Sequence, residues 1–206
     1  MLEKDEPSYN RTTLTYEERE ARLAARGDLI GLSRVLDAFE MAYSVHEFQT
    51  RNDGTPYFFH SARTVKILMD EIGVYDTDIL IAALLHDVLE DSDTITKGVL
   101  EFNFGSYVAY IVEVLTKDLE RAKTDPDVVD VEHAKVLSKA SEDCLMIKLA
   151  GRLDNVRCLA FNLKRNPLVY LRNTLERYVP LADKTTSQRV HQLAAKIRLE
   201  ANKYLG

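Results

Sequence analysis

Ile79-Leu80-Ile81-Ala82-Ala83-Leu84-Leu85-His86-Asp87-Val88-Leu89-Glu90-Asp91 is the stretch on which the fold turns. Its first seven residues form the longest uninterrupted apolar run in the chain. As part of a helix from Asp76 to about Glu90, they make a rod apolar on nearly all sides, which belongs deep in a helical bundle. The run is far short of the roughly 20 residues that a transmembrane helix needs. At its end the chain turns ionisable: His86 and Glu90 are i,i+4 neighbours on such a helix, as are Asp87 and Asp91. Four ionisable groups at the end of a buried element are costly to bury uncompensated, and a metal ion is one of the few groups that compensates them.

An isolated His-Asp pair near a helix end is usually a satisfied hydrogen-bonded pair. His60 shifts that balance, because it lies on the preceding helix, after a Gly54-Thr55-Pro56 turn and beside Phe58 and Phe59. Imidazole mixed with carboxylate suits Mn²⁺, Fe²⁺ or Zn²⁺ better than Ca²⁺, which prefers oxygen-only shells.

Outward from this centre the pattern is helical throughout. Gly and Pro number only 8 and 5 in 206 residues, and strand-like alternation is nearly absent, so an all-α chain is expected. Residues 1–14 read as a loose N-terminal tail and 15–206 as one domain. Thr15, with Glu18 three residues on, caps a first helix that stops near Gly27. A second helix runs from Asp28 to Gln49, a turn follows at Arg51–Pro56, and a third helix covers Tyr57 to Ile72 before Gly73. Short helices are expected at 94–103 and 106–116. Residues 117–130, charged and containing Pro126, read as a mobile surface loop and flap. Helices over 131–140 and 141–163 follow. Another opens with Asn166 as cap and Pro167 at its first position, with Pro180 kinking or ending it, and the last spans Ser187 to Tyr204.

Lys and Arg number 27 against 33 Asp and Glu, a net charge of −6. An acidic chain without a basic run is a poor binder of nucleic-acid backbones, so an anionic substrate needs a local basic pocket. The charged N-terminus has no signal-peptide core, and a cytoplasmic protein with no membrane partner is expected. Cys144 and Cys158 lack metal-finger spacing and read as buried free thiols.

Arg51, Gly54-Thr55-Pro56-Tyr57 and His60, then His86-Asp87 with Glu90-Asp91, then Phe104-Gly105, Val108-Ala109 and Thr116-Lys117 together resemble the hydrolase domain of RelA/SpoT-type alarmone enzymes. These belong to the HD phosphohydrolase superfamily. Ile147-Lys148-Leu149-Ala150, Arg152-Leu153-Asp154-Asn155 and Tyr178 with Pro180-Leu181-Ala182 continue the likeness, which covers about 30–185. The resemblance implies a compact multi-helix HD-domain bundle in a small stand-alone form, with a metal site between helices. It further implies Mn²⁺-dependent removal of the 3′-pyrophosphate from ppGpp and pppGpp, with Mg²⁺, Fe²⁺ or Zn²⁺ as lesser candidates. By position His60, His86 and Asp87 would ligate the metal, and Glu90 and Asp91 would orient and deprotonate the attacking water. Arg51 and Asn155 match nucleotide-contacting residues, and Arg157 is a candidate for a further contact. Lys148 and Arg152 would add to a basic clamp, the alternative for both being a solvated helix face.

One position departs from the family. Gly151 stands where its pattern has an aspartate ligand. Three readings follow: a point substitution that traps substrate, which is preferred; a degenerate homologue that binds nucleotide as a sensor without turnover; or Asp154 as a substitute ligand. A phosphatase of another nucleotide such as NADPH would use the same residues.

Overall fold

The computed structural model describes residues 7–25, 28–162 and 166–205. The expected helix ends at Gly27 and Leu163 lie outside the described residues. The architecture is all-α, with no strand among the described residues; an isolated bridge between Thr50 and Pro56 closes the turn that carries Arg51. No described helix is long and apolar enough to cross a membrane.

Helix α1 (Tyr16–Ala24) opens on a capping box: Thr15 accepts from the Glu18 backbone, and the Glu18 side chain reaches back. Helix α2 (Leu29–His46) is capped by Asp28 and α3 (Phe58–Lys66) follows the turn. A wider π turn over Ile67–Glu71 continues α3, and the chain reverses at Gly73, whose φ of 70° belongs to the left-handed region.

Helix α4 (Thr77–Leu84) is the buried apolar rod, with every residue from Ile79 to Leu84 inside the core. It does not run on to Glu90. The His86 Nδ1–H donates to the carbonyl of Ala83 at 2.8 Å, consuming an acceptor at the helix end, and a separate turn, α5 (Val88–Asp91), begins after Asp87. His86 and Asp87 therefore sit on a break, and His86 is not on one helix with Glu90.

Helices α6 (Lys97–Phe104) and α7 (Ser106–Leu115) form a hairpin at Gly105. The segment 117–130 is not the mobile loop expected from its charge. It holds α8 (Leu119–Ala122), and α9 (Pro126–Leu137) starts at Pro126, whose fixed φ and missing N–H suit a first helical position. An ion pair from Lys117 to Asp130 ties its ends together.

Helix α10 (Glu142–Arg157) runs through the centre, packed on α3, α4, α7 and the terminal α12 (Gln188–Leu205). It ends at Arg157, short of the expected 163, with a 3₁₀ turn at Leu159–Phe161. Helix α11 (Pro167–Asn173) starts as expected on the Asn166 cap. Both cysteines are buried and free.

The N-terminal residues 8–14 are not loose. Leu14 is 1 % exposed and Asn10 5 %, and a 3₁₀ turn over Tyr9–Arg11 packs against α3 and α10 through Arg63 and Asp154. Buried polar partners in the folded core, invisible in a short polar stretch of sequence, order this segment.

Candidate active site

Three helical elements converge on one cleft of about 360 Å³. Helix α3 brings His60, the α4–α5 break brings His86 and Asp87, and α10 brings Gly151. One ligand atom from each of His60, His86 and Asp87 lies within 4.8 Å of the others, and all three residues are buried. The His60 Nδ1–H donates to Asp154 Oδ2 at 2.6 Å, since a carboxylate only accepts. His86 spends its Nδ1–H on Ala83 in the same way. Both imidazoles therefore turn their Nε2 atoms inward: His86 Nε2 lies 3.3 Å from Asp87 Oδ1 and His60 Nε2 lies 4.0 Å from Asp87 Oδ2. Burial, with the Arg51 charge assisting and Asp154 opposing, pushes His60 down to about 4, so its ring is neutral at pH 7.

Two nitrogens and one carboxylate fit a divalent transition metal. Gly151 belongs to the same cluster. A Cβ at this position would stand 3.5 Å from His86 Nε2 and 3.7 Å from His60 Nε2, ordinary contact distances, so a side chain here would point between the two ring nitrogens.

Asp154 does not take the place of a ligand at Gly151. It is wholly buried behind His60, with Arg63 Nε donating to its Oδ1 at 2.6 Å and Arg63 Nη2 to its Oδ2 at 3.2 Å. Burial opposes its ionisation, but the His60 and Arg63 contacts hold its carboxyl well below the usual range. It works as a carboxylate that fixes the His60 tautomer and ring, an arrangement common around metal-ligating histidines. Tyr57 supports Asp87 similarly, its hydroxyl donating to Oδ2 at 2.9 Å.

Glu90 and Asp91 line the same cleft. Burial first, then the neighbouring Asp87 charge, pushes Glu90 up to about 7 and Asp91 to about 6. The Lys117 backbone N–H donates to Glu90 Oε1 at 2.7 Å, fixing that carboxyl. Lys148 also faces the cleft, and burial together with repulsion from Lys117 lowers it to about 7. A carboxyl poised near neutrality beside a metal-donor set is suited to general acid–base work.

The cleft wall is basic. Arg51, Lys117, Lys148 and Arg152 all line it. Arg51 donates to the Asn155 amide oxygen, and its Nη1 is buried without a hydrogen-bond partner. Arg152 is 5 % exposed, held by the Thr174 hydroxyl at 2.7 Å and stacked on Tyr178 at 3.5 Å, so it is no solvated face. Lys148, Gly151, Arg152 and Asn155 are the i, i+3, i+4 and i+7 stripe of α10. Arg157 is not on it. At about 100° per residue it lies about 200° round from Asn155, and it is paired with Glu71 at 2.6 Å and with Glu200, outside the cleft. The expectation that it contacts substrate is corrected accordingly.

The structure adds residues that sequence reasoning left out of the site: Tyr57, Arg63, Lys117, Asn162 and Tyr170. Arg63 was detectable, since it is i+3 from His60 on α3. Asn162 and Tyr170 carried no local signal.

The HD domain model matches residues 38–186, a span that holds every residue of this cluster. The chain belongs to the HD domain family. Among its relatives, the human guanosine-3′,5′-bis(diphosphate) 3′-pyrophosphohydrolase MESH1 is 38 % identical over 129 residues, which cover 62 % of this chain and 70 % of that protein. The Aquifex aeolicus guanosine-3′,5′-bis(diphosphate) 3′-pyrophosphohydrolase is 36 % identical over 147 residues, 70 % of this chain but 20 % of that longer protein. A solved structure described as a metazoan ortholog of SpoT that hydrolyzes ppGpp superposes with a TM-score of 0.65 at 28 % identity, over 82 % of this chain and 92 % of that one. The RelA/SpoT-type likeness read from the motifs is thus borne out.

Proposed function

We propose that this chain hydrolyses the 3′-pyrophosphate of ppGpp and pppGpp, giving GDP or GTP and pyrophosphate, with Mn²⁺ as its metal. The observation that carries the reading is one cleft joining the His60–His86–Asp87 donor set to Glu90, raised to about 7, and to a wall of four basic side chains. A divalent ion held by that set would neutralise phosphate charge and acidify water. Arg51, Lys117, Lys148 and Arg152 match the charge of a diphosphate ester, and Asn155 with Arg51 offers hydrogen bonds to the nucleotide. In the reaction the water oxygen bonds to the phosphorus attached to the ribose 3′-oxygen. The bond between that oxygen and phosphorus breaks, and a proton reaches the 3′-oxygen as pyrophosphate leaves. In this reading Glu90 accepts the water proton, and Asp91 aids the water's orientation.

Gly151 favours a second reading, binding of the nucleotide with little turnover. Three protein donors hold a metal less firmly than four. The deciding assay measures pyrophosphate release from ppGpp, with NADPH as competing substrate, for the chain and for Gly151→Asp. Turnover of ppGpp by either protein supports the hydrolase. Tight ppGpp binding by both without turnover supports a sensor, and phosphate release from NADPH alone moves the substrate class.

A further inference from the structure

Residues 8–12 lie upstream of the 38–186 domain match, yet they reach the rear of the metal-donor cluster. The Tyr9 hydroxyl donates to Asp154 Oδ1 at 3.0 Å, the carboxylate whose other oxygen holds His60. Two guanidiniums approach the Tyr9 ring, that of Arg63 at 5.4 Å and that of Arg157 at 5.6 Å. Arg63, while gripping Asp154, also donates Nη1 to the backbone carbonyls of Asn10 at 2.9 Å and Thr12 at 3.0 Å. Asn10 in turn donates to Asp53 Oδ2 at 3.0 Å, and the other oxygen of Asp53 fixes Thr55 in the turn that presents Arg51. One short segment thus touches both the carboxylate behind a metal-donor histidine and the turn behind the cleft arginine.

We infer that residues 8–12 are a brace added to the HD domain, and that Tyr9 is a positioning residue acting through Asp154 on His60. The inference deepens the metal-dependent reading above and rests on it. A buried carboxylate that must face His60 with one oxygen needs its other oxygen pinned, and Tyr9 and Arg63 share that task. Loss of the Tyr9 hydroxyl leaves Oδ1 of Asp154 held by Arg63 alone, which loosens the carboxylate and, through it, the aim of His60 Nε2 toward His86 and Asp87. A segment that merely packs would affect stability and nothing else.

The test is a double-mutant cycle on Mn²⁺ affinity in the full chain, with Tyr9→Phe, Asp154→Asn and the pair. Tyr9→Phe should weaken Mn²⁺ binding about threefold to tenfold, less than the 10- to 100-fold typical when a ligand's direct partner is lost. In the Asp154→Asn background the same change should add less than about twofold, because the two act along one chain of contacts. An equal loss in both backgrounds, or a lower melting temperature with unchanged Mn²⁺ affinity, overturns the proposal. Should the chain bind no Mn²⁺, the proposed function fails separately. The brace is then judged by the His60 Nδ1 proton resonance of the metal-free protein, which Tyr9→Phe must shift or broaden; an unmoved resonance overturns it.

Discussion

Placing an aspartate at Gly151 should make the metal-free protein less stable and should let Mn²⁺ restore most of that loss, and this restoration is the most demanding test of the site. A Cβ at 151 meets His86 Nε2 and His60 Nε2 at 3.5 and 3.7 Å, so nothing must move to admit it. Gly151→Ala isolates that steric part. It should be neutral or stabilising by up to about 1 kcal/mol, the helix-propensity difference between the two residues. The carboxylate adds charge among donor atoms already within 4.8 Å of one another, Asp87 included. Two like charges about 5 Å apart at an effective dielectric near 20 repel by about 3 kcal/mol. Proton uptake by the new carboxyl caps the penalty at about 4 kcal/mol at neutral pH. For a chain of this size a penalty of about 3–4 kcal/mol lowers the melting temperature by roughly 6–16 °C. With Mn²⁺ the same charge becomes a ligand, and saturation at about 100 times the dissociation constant returns about 2.7 kcal/mol. The assay is thermal unfolding of the three proteins in chelator and in Mn²⁺. If Gly151→Asp melts within about 2 °C of Gly151→Ala in chelator and gains no more from Mn²⁺ than the unmodified chain does, the assignment of this position to the metal centre is wrong.

His86→Ala removes one of the three inward-facing donors, and elemental analysis should find no bound metal; unchanged metal content would remove the site. Glu90→Gln should retain metal yet lower turnover about 10²- to 10⁴-fold in an active background, the usual worth of a general base. Glu90 also makes a prediction about stability without metal. Its folded value is raised from 4.5 to about 7 by burial and Asp87. The stability it contributes is therefore full below about 4.5 and lost as the pH climbs through 7. Metal-free Glu90→Gln should accordingly gain on the unmodified chain between about pH 5 and pH 8, by at most about 3 kcal/mol, and a flat difference across that range refutes the perturbed carboxyl. Arg51→Ala should raise KM for ppGpp with the metal content unchanged, because Arg51 meets Asn155 and the cleft but none of the three donors; a loss confined to kcat would reassign it.

The Asn166–Pro167 start, the Thr15–Glu18 capping box and the seven-residue apolar run of α4 are local matters of backbone donors, fixed φ and side-chain polarity, and each was readable directly. Non-local matters were not. The α4 break depends on the His86 ring reaching the Ala83 carbonyl, a choice between helix continuation and side-chain capping that helical periodicity does not express. Pro126 read as a loop marker, whereas it occupies the first position of α9, and the Lys117–Asp130 pair that ties this segment together is a contact the sequence does not express.

The residue types that carry the chemistry were determined by the sequence alone: two histidines and three carboxylates beside a buried helix, with Gly151 standing apart from the family pattern. The face of α10 bearing Lys148, Gly151, Arg152 and Asn155 was likewise implicit in their spacing. What that face meets was decided only in three dimensions. Asp154 and Arg157 sit on the same helix within three residues, yet one seats His60 and the other pairs with Glu71 outside the cleft. Tyr9 meets Asp154 across 145 residues and Arg51 meets Asn155 across 104. Helical periodicity sets the direction in which a side chain leaves its own helix, but the partner it finds there depends on how the other helices pack around it.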